Sequence, residues 1–201
     1  MKVYYINLKS RGDRNLNAIK ELSSVDFEYE RFDAIHCSNG RLGCSLSHLA
    51  VLELAKRKNM TEVIICEDDI CFKNPELFKK QLRCFLKSQK EWDVLLLGGN
   101  VVRPFTISSP YAMKVSHCQT TTGYIVKAHY YDTLIQNIRE GIKNLLQYPE
   151  KHFHYAIDKY WIQLQKKDDW YLIYPLLVSQ IAGYSDIEKK ERNYGNLLLT
   201  Y

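Results

Sequence analysis

Short apolar, β-branched runs alternate along this chain with longer segments whose apolar residues keep helical spacing, and no other feature restricts the fold as much. "KVYYINL" (residues 2–8) reads as a strand, while "EVIIC" (62–66) and "WDVLLLGGN" (92–100) have the unbroken apolarity of strands buried on both faces. "FEYERFDAI" (27–35) alternates like a further strand, and "GYIVKA", "DDWYLIYP" and a stretch near "YAMKVSH" add three more. Between them, Leu42, Leu46, Leu49 and Leu52 mark one helix, and Phe78, Leu82, Phe85 and Leu86 mark another that Asn74 and Pro75 begin. "HYYDTLIQNIREGI" and "YAIDKYWIQLQKK" read as two later helices. A helix from Ser10 to about Leu22 is expected to open on a capping box, with Ser10 as N-cap and Asp13 three residues on. Strands alternating with helices predict an α/β fold with a mostly parallel sheet flanked by helices, in which ligands bind beyond the carboxyl ends of the strands.

The chain's 201 residues suffice for one such domain with a substantial core, expected over residues 1–187, followed by a polar tail over 188–201. Hydrophobic residues at 46% and charged residues at 25% exclude a disordered or fibrous chain. The net charge of +5 is scattered, which supports a small anionic ligand better than a nucleic-acid groove. Six cysteines, at 37, 44, 66, 71, 84 and 118, show neither CxxC pairs nor zinc spacing and read as reduced and structural. "MKVYYINLKS" lacks a cleavable signal pattern, and no window reaches the roughly 20 apolar residues of a membrane span. A cytoplasmic location is therefore expected.

Two loops fall at the predicted carboxyl edge of the sheet. In "VIICEDDI", Glu67, Asp68 and Asp69 follow directly on a buried strand, and three adjacent like charges repel one another. In extended geometry Glu67 and Asp69 would share one face and Asp68 the other. Two readings carry similar weight: a Mg²⁺ or Mn²⁺ site completed by a substrate diphosphate, or a solvated turn. In "NLKSRGDR", a strand end meets a helix N-terminus, where free N–H groups and Arg11 and Arg14 suit a phosphate; solvated surface arginines are the plainer alternative. Together the loops suggest a nucleoside diphosphate with a divalent cation.

"YYINLKSRGDR", "GRLGCSLSHLAVLELA", "VIICEDDI" and "YPLLVSQIAGYSDI", in that order, resemble the successive signatures of glycosyltransferase family 25, the lipooligosaccharide and procollagen galactosyltransferase group. The resemblance spans nearly the whole chain, to about residue 187. It implies a GT-A type fold, a UDP-sugar donor of the galactose or glucose type, Mn²⁺ or Mg²⁺, inversion at the anomeric carbon, and a glycan or hydroxylated protein as acceptor. By position, "EDD" corresponds to the family's DxD-like motif, which makes Asp69 the first metal ligand and Glu67 the second. Asn7, Leu8, Arg11 and Arg14 fall in the segment that would wrap the nucleotide, with Asp68 beside them. Ser45, Ser47 and His48 match the pattern that lines the donor side. Gln180, in the last block, would hydrogen-bond substrate or satisfy buried backbone.

The reaction also needs a base for the acceptor hydroxyl. Asp158, flanked by Ala156, Ile157, Tyr160 and Trp161, is the candidate in a partly apolar cleft; an exposed charge paired with Lys159 or Lys151 is nearly as good a reading. Asp186, in "YSDI", competes for the base or for a second metal contact. Two other functions share these residues: a metal-dependent nucleotidyltransferase or phosphohydrolase, and a catalytically silent carbohydrate-binding scaffold.

Overall fold

A computed structural model describes residues 1–187 and 189–192. The order of elements is β1 (Lys2–Asn7), α1 (Gly12–Ser24), β2 (Glu28–Asp33), α2 (Gly40–Arg57), β3 (Glu62–Glu67), β4 (Ile70–Phe72), α3 (Pro75–Ser88) and β5 (Val94–Val101). There follow β6 (Phe105–Ser109), β7 (Ala112–Val115), β8 (Cys118–Lys127), α4 (Tyr131–Gln147), three single turns α5 (His152–Tyr155), α6 (Ile157–Tyr160) and α7 (Ile162–Gln165), then β9 (Trp170–Ile173), β10 (Val178–Gln180), β11 (Gly183–Ser185) and β12 (Lys190–Arg192).

Eight strands form one sheet in the order β2-β1-β3-β8-β5-β9-β7-β6. The pairs β1 with β2, β1 with β3 and β5 with β9 are parallel, whereas β8 is inserted antiparallel between β3 and β5. The α/β class read from the sequence is the one observed. Because side chains alternate across each strand, β1 sends Val3 and Tyr5 to one face and Tyr4 and Ile6 to the other. Val3, Tyr5, Ile64 and Cys66 pack under α1 and α3 through Ala18, Leu22, Phe78 and Phe85. Tyr4, Ile6, Val63 and Ile65 pack under α2 and α4 through Val51, Leu52, Leu134 and Ile138. Each large apolar side chain so buried contributes about 1.5–3 kcal/mol. All six cysteines are free. Among the described residues, no helix is long and apolar enough to cross a membrane.

Two local expectations are corrected. The capping box does not form: the N-cap of α1 is Arg11, without a side-chain cap, and its guanidinium holds Asp13 at 2.8 and 3.0 Å. The single helix expected over "YAIDKYWIQLQKK" is broken into short turns, with Ala156 extended at ψ 147. Burial of Ile157, Trp161 and Leu164 explains the helical periodicity. The kink at Ala156 precedes Asp158, which accepts a hydrogen bond from the backbone of β8. Past Asp186, Lys190–Arg192 folds back to pair with Gly183–Ser185. Of the expected tail over 188–201, Glu188 and residues 193–201 lie outside the described residues.

Candidate functional site

A cavity of about 820 Å³ opens at the carboxyl ends of β1 and β3. Its wall brings together Leu8, Arg14, Ser47, His48, Glu67, Asp68, Asp69, Asp158, Gln180 and Asp186 from segments far apart in sequence. Asn7, Arg11 and Ser45 stand outside that lining.

Strand β3 ends at Glu67, and the chain turns through Asp68 and Asp69 before β4. The alternating geometry expected for the triplet therefore does not apply, and all three carboxylates reach the cavity. Asn17 holds the turn, donating at 3.1 Å to the carbonyls of both Asp68 and Ile70. Asp69 O accepts from the Ile181 amide at 2.8 Å. The β10 and β4 pairing sets Gln180 opposite Ile70, one residue from Asp69. Gln180 Nε2 then donates to Glu67 Oε2 at 2.8 Å and to Asp69 Oδ1 at 3.3 Å.

Arg14 is the near partner of the triplet. Its Nη1 lies 3.2 Å from Asp68 Oδ1 and 3.0 Å from Asp69 Oδ2, and its Nη2 donates to Tyr184 O at 2.8 Å. Asp68 Oδ2 also accepts from Asn7 Nδ2 at 2.7 Å. The compensation is incomplete. Burial first, then the Glu67 charge, push Asp69 up to about 7 against the pull of Arg14. Burial likewise raises Asp68, with Asn7 and Arg14 opposing it. Burial would also raise Glu67, but His48, Thr121 and Arg14 outweigh it and hold that carboxyl below its ordinary value. A buried corner that keeps a carboxylate partly protonated near neutrality, and offers oxygen donors from three residues, suits a hard divalent cation. Asp69 and Glu67 would be the residues placed to hold one.

The remaining sequence candidates divide. Asp158 accepts from Thr120 N at 3.2 Å, lies 3.9 Å from Lys159 Nζ, and is raised chiefly by burial, with Lys159 opposing. Thr120 itself is left-handed at φ 76, an uncommon state for a β-branched residue and one often found at functional sites. Asp186 is ion-paired with Arg11 at the cavity edge, so neither is free. Ser45 Oγ donates to Arg41 O at 3.0 Å. Ser47 Oγ donates to Gly43 O at 2.7 Å and accepts from Ile35 N at 2.8 Å; both hydroxyls serve the backbone of α2. His48 is buried, with Nδ1 2.8 Å from Tyr124 Oη.

Some contributors carried no local signal. Asn17 sits in an ordinary helical stretch, and Cys44 carries no motif, yet its Sγ lies 3.8 Å from Glu67 Oε1. Thr121, in the Thr-rich start of β8, donates to Glu67 Oε1 at 2.7 Å. The antiparallel register of β8, with Gly123 opposite Cys66, carries that threonine to the end of β3.

The sequence profile described as "Glycosyltransferase family 25 (LPS biosynthesis protein)" matches residues 36–161, which include α2, the acidic turn and Asp158. The chain belongs to glycosyltransferase family 25. It is 24% identical over 180 residues to a "Glycosyltransferase 25 family member" of Anopheles gambiae, covering 72% of this chain and 28% of that protein. It is 24% identical over 129 residues to "Procollagen galactosyltransferase 1-A" of Xenopus laevis, covering 48% and 21%. A 34% identity over 71 residues, covering 33% and 12%, links it to "Probable inactive glycosyltransferase 25 family member 3" of Rattus norvegicus. The aligned regions thus span little more than a quarter of those family 25 proteins at most. Among solved structures, "crystal structure of a glycosyltransferase involved in the glycosylation of the major capsid of PBCV-1" aligns with a TM-score of 0.48 at 8% identity, over 87% of this chain and 93% of that one.

Proposed function

We propose that this family 25 chain is a cation-dependent, inverting glycosyltransferase domain that moves a hexose from a UDP-sugar to a hydroxyl of a glycan or hydroxylated protein. The observation that carries the reading is the undercompensated acidic turn of Glu67, Asp68 and Asp69, in one cavity with a separate half-buried carboxylate, Asp158. The volume of about 820 Å³ is within the range of small-molecule sites, roughly 300–1,000 Å³. The name of the Xenopus laevis relative supports galactose as the sugar and a procollagen-type protein as one acceptor class.

A divalent ion held by Asp69 and Glu67 would draw off the charge that builds on the departing diphosphate. The chain's own residues do the rest. Arg14 and Gln180 fix the carboxylates, so they need little rearrangement when charge develops nearby. Asp158 takes the proton from the acceptor hydroxyl; burial makes it a stronger base than an exposed aspartate, and the Thr120 amide fixes one of its oxygens. Asp186, committed to Arg11, is the weaker candidate for that step.

Incubation with UDP-galactose or UDP-glucose and Mn²⁺ should release UDP, and more of it when an acceptor is present. Asp69→Ala should abolish the cation-dependent turnover while keeping the wild-type circular dichroism. Release of pyrophosphate or phosphate instead would establish a nucleotidyltransferase or phosphohydrolase. Glycan binding that persists in EDTA, without turnover, would establish a silent binding domain.

A further inference from the structure

Behind the oxygen-rich corner lies a cluster of different chemistry. Cys44 and His48 are four residues apart on α2 and so share one face of that helix, which packs over the end of β3. Their Sγ and Nε2, and a carboxylate oxygen of Glu67, lie within 4.8 Å of one another. His48 Nε2 is 3.7 Å and Cys44 Sγ 3.8 Å from Glu67 Oε1. Ligands about 2.0–2.3 Å from a tetrahedral ion are separated by roughly 3.3–3.8 Å, so little movement would be needed to close the site.

The decisive atom is His48 Nε2. The residue is 1% exposed, Nε2 has no hydrogen-bond partner, and it points at Glu67. An unpaired buried nitrogen is costly unless something fills the space. Nδ1 meets Tyr124 Oη at 2.8 Å, and in the tautomer in which Nδ1–H donates to the phenol the Nε2 lone pair is open to a metal ion in place of the contact with Glu67. Metal-ligating histidines are typically oriented by such a bond from their second nitrogen.

We propose that Cys44, His48 and Glu67 form a three-ligand site for a zinc-class divalent ion, with its fourth position open to the cavity. A thiolate, an imidazole and a carboxylate select Zn²⁺ or Co²⁺ over Mg²⁺ and Mn²⁺, which prefer oxygen alone. Binding replaces the Cys44 thiol proton, which passes to solvent. Cys44, His48 and Glu67 all line the cavity, so water or a substrate oxygen can reach the ion. Glu67 is the residue common to both corners: Oε1 faces His48 and Cys44, and Oε2 is turned to Gln180. The site does not rest on donor binding and is tested without nucleotide, so either reading can fail alone.

The test titrates the chelator-stripped 201-residue chain with Co²⁺ in excess Mg²⁺. One equivalent should bind and produce a thiolate-to-cobalt charge-transfer band together with the intense visible bands of a four-coordinate ion. Cys44→Ser should lose the charge-transfer band, His48→Gln should lose tight binding, and Tyr124→Phe should weaken it by roughly 10–100-fold. Asp69→Asn should keep the spectrum. Absence of the band in the wild type, a band that survives Cys44→Ser, or one removed by Asp69→Asn would overturn the site and leave a thiol-to-carboxylate hydrogen bond with water on His48. If Cys44→Ser does not fold, His48→Gln, which keeps the thiol, decides.

Discussion

Asp158 is under two opposed demands. Burial raises its proton affinity, which suits a base but costs stability once the group ionises. Its folded pKa lies above that of the unfolded chain. The stability it contributes is therefore complete below the unfolded value near pH 4 and is lost as pH rises through the folded value. Asp158→Asn should accordingly melt above the wild type at pH 8, with the difference closing toward pH 4. In scanning calorimetry, an unchanged or lower melting temperature at pH 8 would remove the burial argument. The same variant should lose about 10²–10⁴-fold in kcat, and wild-type turnover should climb with pH as Asp158 deprotonates. Asp158 was legible as a lone acid among apolar neighbours. The partner that holds it, the Thr120 amide, was not, because a left-handed threonine has no sequence signature.

Short elements decide where the site's polar atoms stand. Strand β10 reaches the acidic turn because Gly98 of β5 leaves room for it: a Cβ there would lie 2.6 Å from Val178 O and 3.0 Å from Val178 Cβ. Both glycines after the "WDVLLL" run lie within β5, and Gly98 serves strand packing. Gly98→Ala should push β10 outward, cost about 1–3 kcal/mol, and lower the melting temperature by several degrees. Because β10 carries Gln180, the same change should raise the KM for the donor; a variant with wild-type melting and KM would show that β10 is not so constrained. The hairpin of β11 and β12 is tied down beside the cavity by Arg11 and Arg14, through Asp186 and Tyr184 O. Those arginines are engaged with carboxylates and a carbonyl of the chain itself.

At the scale of the molecule, the parallel strands β1 and β3 deliver two loops to one sheet edge, and the antiparallel β8 brings the threonines to it from the other direction. A ligand bridging these loops should stabilise the whole domain by mass action: UDP with Mn²⁺ at 100 times Kd should add about 2.7 kcal/mol and raise the melting temperature by roughly 5–11 °C. No shift with Mn²⁺ and UDP together would count against a shared donor site. The α/β class, most strands, the two early core helices and the acidic turn were decided by the sequence alone, because apolar periodicity and strand-end charge are local properties. The breaks at Ala156, the engagement of Arg11 and Arg14, and the meeting of Cys44, His48 and Glu67 were decided only by the tertiary structure. They depend on strand register and on which buried charge finds which partner, and those are set by contacts between residues far apart along the chain.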